Sequence, residues 1–144
     1  MKHWKELLKF EVMEAKTVQK YKGKSLPALM KLATKHFNAY IRKRDEDKPC
    51  ISCSQYRTLQ AGHYYPAGHY PMVRFNEVNV NGECLQCNYF SGDHLVFYRE
   101  NMIERHGAQA VLDLDMWAKY NKRTPHKWSR IELIDIIETY KNKC

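Results

Sequence analysis

The chain has 144 residues, of which 44% are hydrophobic, so its length and composition favour a single globular domain. Its apolar runs are only a few residues long and its first residues form an amphipathic pattern. These features exclude a membrane-spanning helix and a secretory signal, and they favour a cytoplasmic protein. The formal net charge of +8, from 24 basic against 16 acidic residues, favours a polyanionic partner such as nucleic acid.

The first third of the chain is predicted to be helical. Apolar side chains repeat at helical spacing over residues 4–21. Ser25 then offers an N-cap to a second helix over residues 26–44. The outer face of that helix is basic, and we expect Arg42 and Arg44 on it to contact nucleic acid.

A different pattern fills the middle of the chain, where aromatic and β-branched residues mix with glycine and proline. Residues 59–65 and 72–75 are predicted to form short strands. The Asn81-Gly82 pair predicts a tight turn shortly after them. A unit so small and so rich in loops can hardly hold its shape without a bound metal.

Helical periodicity returns in the last third of the chain. It begins near Asp93 and ends at Gly107, which is a natural C-terminal stop. A second helical pattern runs over residues 108–120, and a capping box at Ser129 to Glu132 opens a final helix. The side chains predicted to face inward are Val111, Leu112, Met116, Trp117 and Tyr120 in the second pattern, and Ile131, Ile134, Ile137 and Tyr140 in the final helix.

Four of the five cysteines form two identical pairs, Cys50-x-x-Cys53 and Cys84-x-x-Cys87. Each such turn aims two thiolates at one point, and two of them complete a tetrahedron around Zn²⁺. The spacing therefore predicts a structural zinc site with these four ligands and no open position for catalysis. We interpret the fifth cysteine, Cys144, as a terminal thiol without a specific role.

Three residues between and just after the cysteine pairs are candidates for catalysis. His63 can take a proton from water near neutral pH, although a histidine there could also pack or cap a turn. Asn88 follows the last cysteine of the cluster, and its amide oxygen suits Mg²⁺ or Mn²⁺, although asparagine also serves as a helix N-cap. Asn79 could hold the His63 ring in one tautomer or occupy a turn.

Several other polar and aromatic residues carry weaker signals. Singly, His69, Asp93 and His94 are typical of loops or helix starts, yet any of them could complete a metal shell. Arg74 and Arg99 are expected to contact phosphates. The nearby aromatic residues could stack on unpaired bases or simply fill a small core, and they are Tyr64, Tyr65, Tyr70 and Phe75.

The order and spacing of these motifs resemble the phage NinG (Rap) recombination endonucleases over about residues 25–143. More distantly, the cysteine pairs and the asparagine after them look like the endonuclease VII group of HNH nucleases. The segments that carry the resemblance are Phe37-Asn38, Tyr40-Ile41-Arg42, Arg44-Asp45, Pro49-Cys50-Ile51-Ser52-Cys53, Ala61-Gly62-His63-Tyr64, Arg74-Phe75-Asn76, Asn79, Gly82-Glu83-Cys84, Cys87-Asn88 and Ser91-Gly92.

The resemblance implies a ββα-metal fold that grips one catalytic Mg²⁺ or Mn²⁺, and cleavage of branched DNA such as Holliday junctions and D-loops during phage recombination. His63 matches the general base of these enzymes, Asn79 their middle asparagine and Asn88 their metal ligand. HNH nucleases usually place a metal ligand immediately before the base, where this chain has Gly62. Either another residue supplies that ligand, or His63 itself binds the metal and the base lies elsewhere.

The sequence therefore predicts an α+β, mostly helical fold. Its single domain would contain a zinc-knuckle and ββα-metal core over residues 49–107, flanked by helices over residues 1–48 and 108–144. We expect an endonuclease acting in the host cytoplasm, alongside recombination proteins and as a homodimer that makes paired cuts. The alternative is a non-catalytic zinc-knuckle protein that binds nucleic acid, which would have no chemical need of His63, Asn79 and Asn88.

Overall fold

The computed structural model describes residues 15–144, so most of the helix predicted over residues 4–21 lies outside the described part of the chain. The chain divides into two compact units, one over residues 38–127 and one that joins the segments on either side. The prediction of one domain stays a prediction. In chain order the elements are α1 (Ala15–Lys20), α2 (Leu26–Arg44), β1 (Leu59–His63), β2 (Val80–Cys84), α3 (His94–His106), α4 (Ala108–Arg123) and α5 (Arg130–Lys143), with a 3₁₀ turn at Pro71–Val73 and a π-helical turn at Gln86–Phe90.

The smaller unit is helical, and its helix starts agree with the sequence signals. The Ala28 N–H donates to Ser25 Oγ at 3.3 Å, which caps α2 as predicted. The capping box of α5 is also present, because Ser129 and Glu132 bond reciprocally. The stripe of α5 begins later than predicted, since Ile131 in the first turn is 42% exposed and Leu133 is buried. The Phe37 and Tyr140 rings meet edge to face at 4.8 Å.

The larger unit is built around a two-stranded antiparallel hairpin, in which Leu59 pairs with Cys84 and His63 pairs with Val80. The strand predicted over residues 72–75 is wrong, because Pro71 opens a 3₁₀ turn there. The turn predicted at Asn81-Gly82 is also wrong, because both residues lie inside β2. The mostly helical α+β class itself is confirmed.

Tertiary contacts explain why a turn-like pair sits in a strand. Position 82 requires glycine because the Leu59 side chain packs closely against it, and a Cβ there would lie 2.7 Å from Leu59 Cδ1. Asn81 is fully buried, and its side chain bonds the Tyr98 hydroxyl and the His106 ring. These partners lie far along the chain, so the local pattern could not show them.

Helix α3 lies across one face of the hairpin. Its residues at helical spacing reach the strands, since His94 contacts Glu83, the Tyr98 hydroxyl donates to the Gly62 carbonyl at 2.7 Å, and His106 contacts Asn81. The helix ends at Gly107, whose φ of 91° suits glycine. The larger unit thus has the order strand, strand, helix.

The predicted inward face of helix α4 is confirmed at Val111 and wrong at its other four residues. Val111, Leu114 and Ala118 are buried, and the first two join a core cluster with Tyr98 and Met102. The predicted stripe and the buried stripe both have helical spacing. The prediction chose the stripe with the larger apolar side chains, and most of these are exposed. Those predicted inward but exposed are Leu112, Met116, Trp117 and Tyr120. Within residues 15–144, the helices lack the length and apolar content needed to cross a bilayer.

Candidate functional site

The four paired cysteines converge as the sequence predicted. Their sulfur atoms lie within 4.8 Å of one another. Cys53 Sγ and Cys84 Sγ are 3.9 Å apart, close to the roughly 3.8 Å that tetrahedral Zn²⁺ with 2.3 Å bonds requires. The Cys84 N–H also donates to Cys50 Sγ at 3.3 Å, as is favourable for a thiolate. The cluster could bind a metal such as zinc.

The thiols of the cluster lie close enough to perturb one another's pKa values. Burial, and then the neighbouring sulfurs, raise the pKa of the Cys87 thiol far above its ordinary value. Burial also raises the pKa of the Cys50 thiol. Four thiolates this close repel one another unless a metal ion neutralises them. Because soft sulfur ligands in a tetrahedral set select zinc over magnesium, the residues fit the predicted structural zinc. Cys144 is exposed and lies outside the cluster.

A cavity of about 390 Å³, which we call the hairpin cavity, brings together polar residues from three elements. His63 comes from the end of β1, Asn88 from the π-helical turn and His94 from the start of α3. Asn88 directly follows Cys87, so metal in the cysteine cluster would fix one wall of the cavity. The remaining walls are mostly formed by uncharged residues, including Asn38, Tyr64, Pro66 and Tyr89.

The His63 ring is oriented by a backbone contact. Its Nε2 lies 3.0 Å from the Arg74 carbonyl oxygen, which can only accept a hydrogen bond. Nε2 therefore carries the hydrogen, and Nδ1 has the lone pair that can take a proton. Burial lowers the pKa of His63 below its ordinary value, so the ring is neutral at pH 7. A neutral, oriented imidazole meets the requirements of a general base.

Asn79 does not touch the His63 ring but fixes the loop that carries its partner. It is fully buried, and its side chain bonds the Tyr65 N–H at 2.8 Å, the Tyr65 carbonyl at 3.1 Å and the Val73 carbonyl at 3.0 Å. These bonds hold the chain on both sides of the loop between the strands. Since Arg74 follows Val73, Asn79 positions the carbonyl that orients His63.

Asn88 lies at the wall of the hairpin cavity with one side-chain bond, from Nδ2 to Gln60 Oε1 at 3.3 Å. That contact turns the amide nitrogen toward Gln60 and leaves the amide oxygen as an acceptor. An oxygen of this kind is a suitable ligand for a hard divalent ion. The geometry is therefore compatible with the metal-binding role predicted for Asn88.

A buried carboxylate lies behind the cavity. Glu83 in β2 is fully buried, and its Oε1 accepts from Ser52 Oγ at 2.6 Å and contacts His94 Nδ1 at 2.5 Å. A Cβ on Gly62 would lie 2.3 Å from Glu83 Oε2. The Glu83 side chain therefore occupies the space into which a side chain at position 62 would project.

The other predicted metal ligands are dispersed. His69 is exposed on the loop and is not among the residues that line the hairpin cavity. Asp93 is also exposed, and it lines a second cavity with Cys53 and Cys87, a cavity that His94 lines as well. Of the three weaker candidates, only His94 shares the cavity with His63 and Asn88.

The predicted DNA-binding arginines differ in how their guanidinium groups are used. Arg44 bonds the Asp45 carboxylate at 2.8 Å and the carbonyls of Glu77 and Val80, so its donors hold the hairpin. Arg99 bonds both carboxylate oxygens of Asp115. Arg74 is half-buried, with its guanidinium over the Phe75 ring.

Arg42 alone among the four is exposed on a groove. That groove has a volume of about 570 Å³, and Lys43 and Arg57 also line it, together with one acidic residue, Glu46. The nearby aromatic residues serve mainly as packing, since Tyr64, Tyr65 and Tyr70 lie against the core cluster and Phe75 is 7% exposed.

The sequence analysis assigned no role to Glu83 or Arg57. Glu83 was named only within the Gly82-Glu83-Cys84 segment of the family resemblance, and the turn predicted at Asn81-Gly82 left the strand that contains it unpredicted. Its place opposite Gln60 in the hairpin is visible only once the register is known. The available signals were a carboxylate directly before a cysteine of the cluster and its place in a segment that carries the family resemblance. Arg57 carries no motif, and its value comes from facing the same groove as Arg42 and Lys43.

Comparisons with known proteins identify the family. The family model described as bacteriophage lambda NinG protein matches residues 5–144. The chain is similar to the ninG protein of Escherichia phage lambda, at 38% identity over 79% of this chain and 54% of that protein. It is also similar to the ninG protein of Salmonella phage P22, at 39% identity over 79% of this chain and 55% of that protein. No solved structure matches the chain.

The chain spans about half the length of the curated relatives it matches, so their names describe longer proteins. The match of the family model covers nearly the whole chain, including both cysteine pairs and all residues of the hairpin cavity. The resemblance read from the sequence motifs is thereby confirmed at the level of the family. The chain belongs to the NinG family of bacteriophage proteins.

Proposed function

We propose that this chain is a divalent-metal-dependent endonuclease that hydrolyses phosphodiesters in branched DNA. The observation that supports it best is the hairpin cavity, where a neutral, oriented His63 lies on the same surface as Asn88. The strand-strand-helix order around that cavity agrees with the ββα-metal arrangement that the HNH resemblance implies. A purely binding protein would have no chemical need for a half-buried, oriented histidine whose Nδ1 can accept a proton.

In this proposal each residue has a defined part. His63 accepts a proton at Nδ1 from the attacking water, while its Nε2–H stays on the Arg74 carbonyl. Asn88 offers its amide oxygen to Mg²⁺ or Mn²⁺, a hard ion suited to an oxygen ligand. When bound, the ion would supply charge stabilisation for the departing 3′ oxygen. Asn79 keeps the loop in place, and the products carry a 5′ phosphate and a 3′ hydroxyl.

Binding of the flanking phosphates falls to the exposed basic groove rather than to all the predicted arginines. Arg42, Lys43 and Arg57 line one surface, where they can release counterions from DNA. Because Arg44 and Arg99 are already paired with carboxylates, we assign them to structure. Replacing both Arg42 and Arg57 with Gln would therefore weaken junction binding and reduce its dependence on salt.

The test is cleavage of a four-way junction with Mg²⁺ or Mn²⁺, compared with an EDTA control. Replacement of His63 with Ala should lower the single-turnover rate by about 10²- to 10⁴-fold while junction binding persists. The matched control is His69→Ala, a change on an exposed loop residue that should leave the rate near that of the parent. Equal cleavage by the His63→Ala protein would exclude His63 as the base.

The same experiment separates the alternative function. If the parent protein binds the junction in a salt-dependent way but never cuts it with either metal, the non-catalytic zinc-knuckle protein becomes the better reading. The homodimer expected for paired cuts stays a prediction, and sedimentation of the protein with and without a junction checks it.

A further inference from the structure

The HNH resemblance leaves one ligand unaccounted for, at Gly62. The structure explains why no side chain can stand there, because a Cβ on Gly62 would lie 2.3 Å from Glu83 Oε2 and 2.8 Å from Glu83 Cβ. The backbone conformation is not the reason, since positive φ among the glycines is confined to Gly107 within residues 15–144. The carboxylate of Glu83 has therefore taken the space next to the base.

Glu83 itself cannot reach into the hairpin cavity, because it is fully buried and is not among the lining residues. It instead contacts His94, whose Nδ1 lies 2.5 Å from Glu83 Oε1. The second oxygen, Oε2, has no hydrogen-bond partner among the described residues. A buried carboxylate with an unsatisfied oxygen places negative charge directly behind the cavity wall.

The contact between Glu83 and His94 also sets the tautomer of the histidine. A carboxylate accepts hydrogen bonds, so His94 Nδ1 carries the hydrogen and Nε2 keeps a lone pair. His94 lines the cavity together with His63 and Asn88. Histidines that bind metals commonly donate their other ring N–H to a carboxylate in this way, which fixes the ring and raises its basicity.

On the basis of the proposed nuclease function, we infer that His94 is the metal ligand that replaces the one missing at position 62, and that Glu83 positions it. His94 Nε2 and the Asn88 amide oxygen hold the catalytic ion, and phosphate and water complete its shell. Because one ligand is an imidazole, the site should prefer Mn²⁺ to Mg²⁺. The competing explanation is a structural ion pair between a protonated His94 and Glu83.

The experiment is a titration of zinc-loaded protein with Mn²⁺, in which electron paramagnetic resonance measures the free ion. The parent should bind one Mn²⁺ per chain in addition to its zinc. The variants His94→Gln and Glu83→Gln should bind it about 10- to 100-fold more weakly. The control His69→Gln should bind it like the parent. Equal affinity of His94→Gln and the parent, or no stoichiometric Mn²⁺ on the parent, would overturn the inference.

A second measurement covers the case in which the variants lose their fold. With ¹⁵N-labelled histidine in the parent protein, substoichiometric Mn²⁺ should broaden the His94 ring signals well before those of His69. Signals of His94 that broaden no faster than those of His69 would favour the structural ion pair. If junction cleavage by the parent still depends on His63 in that case, the nuclease proposal stands and only the ligand assignment fails.

Discussion

His63 is the residue whose chemistry can be tested by pH alone. Burial lowers its pKa below the ordinary value of 6.5, and the general base must be neutral to accept a proton. Activity should therefore be lost only as pH falls through this lowered pKa. We expect kcat/KM for junction cleavage at saturating Mn²⁺ to be level near pH 7 and to fall with a midpoint below 6.5. A midpoint above 7 would contradict the assignment.

A substitution at Gly62 tests whether the Glu83 side chain leaves room for a Cβ at that position. The change Gly62→Ala forces a Cβ against the Glu83 carboxylate, and overpacking of this kind costs about 1–3 kcal/mol of unfolding free energy. The matched control is Gly68→Ala, since a Cβ at Gly68 meets nothing within 4 Å. Urea denaturation should show a lower midpoint for Gly62→Ala than for the control. Similar midpoints would mean that Glu83 moves aside without cost.

For single residues, the sequence could predict the positions of those that lie at a fixed spacing from a recognisable motif. Asn88 follows Cys87 directly, so its position could be predicted from the cysteines. The partnership of Glu83 with His94 could not, because it depends on the hairpin register and on how α3 crosses the strands. The helical pattern predicted Arg44 on the exposed face of α2, but its guanidinium bonds the Glu77 and Val80 carbonyls. These bonds also depend on how the hairpin packs, so the local sequence could not predict them.

Among the elements, α2 is tied to β2 through one buried carboxylate. Asp45 is fully buried and accepts hydrogen bonds from Arg44, Lys48 and the Gly82 N–H. Burial alone would raise the pKa of Asp45, but the bonds from Arg44 and the Gly82 N–H hold it well below its ordinary value. The carboxylate is therefore charged at neutral pH, and it accepts the hydrogen bonds that join the end of α2 to β2.

Replacing Asp45 with Asn should leave the Arg44 guanidinium without its counter-charge in a largely buried site. Loss of one partner of a buried pair costs about 3–5 kcal/mol. The neighbouring change Asp47→Asn, on an exposed residue, should cost less than about 0.5 kcal/mol. Chemical denaturation of both variants measures the difference. A loss for Asp45→Asn as small as that of the control would show that the network does not stabilise the hairpin.

The elements differ in how well local sequence predicts them. The bounds of α2, the end of α3 at Gly107 and the capping box of α5 depend on caps and periodicity, which act within a few residues. The strand β2 contains Asn81 and Gly82, whose local preference is for turns, and tertiary contacts override that preference. The buried face of α4 was misjudged because size and hydrophobicity do not decide which stripe meets the core.

For the whole molecule, the net charge of +8 overstates how many cations are free to meet DNA. Arg44 forms an ion pair with Asp45, and Arg99 forms one with Asp115. Both positive charges are therefore partly neutralised within the larger unit. Among the described residues, the groove lined by Arg42, Lys43 and Arg57, together with Glu46, is one exposed surface where positive charge is accessible. The positive net charge predicts a polyanionic partner, and this stays a prediction, whereas only the fold can say which surface would bind it.

The cysteine cluster should decide whether the larger unit folds at all. A two-stranded hairpin is marginal by itself in water, and here all four sulfurs lie in residues 38–127, around that hairpin. Structural zinc sites contribute about 10–16 kcal/mol of apparent binding free energy, which becomes folding free energy. Removing the metal by chelation, or by the change Cys84→Ser, should therefore unfold this unit.

Hydrogen exchange read out by mass spectrometry measures the effect, and loss of protection should be concentrated in residues 38–127. The change Cys144→Ser is the matched control, because that thiol is exposed and outside the cluster, and it should leave both zinc content and protection unchanged. A zinc-free protein that keeps its protection over the hairpin would show that side-chain packing and the Asp45 network suffice. In that case the hairpin cavity would not need the metal to hold Asn88 in place.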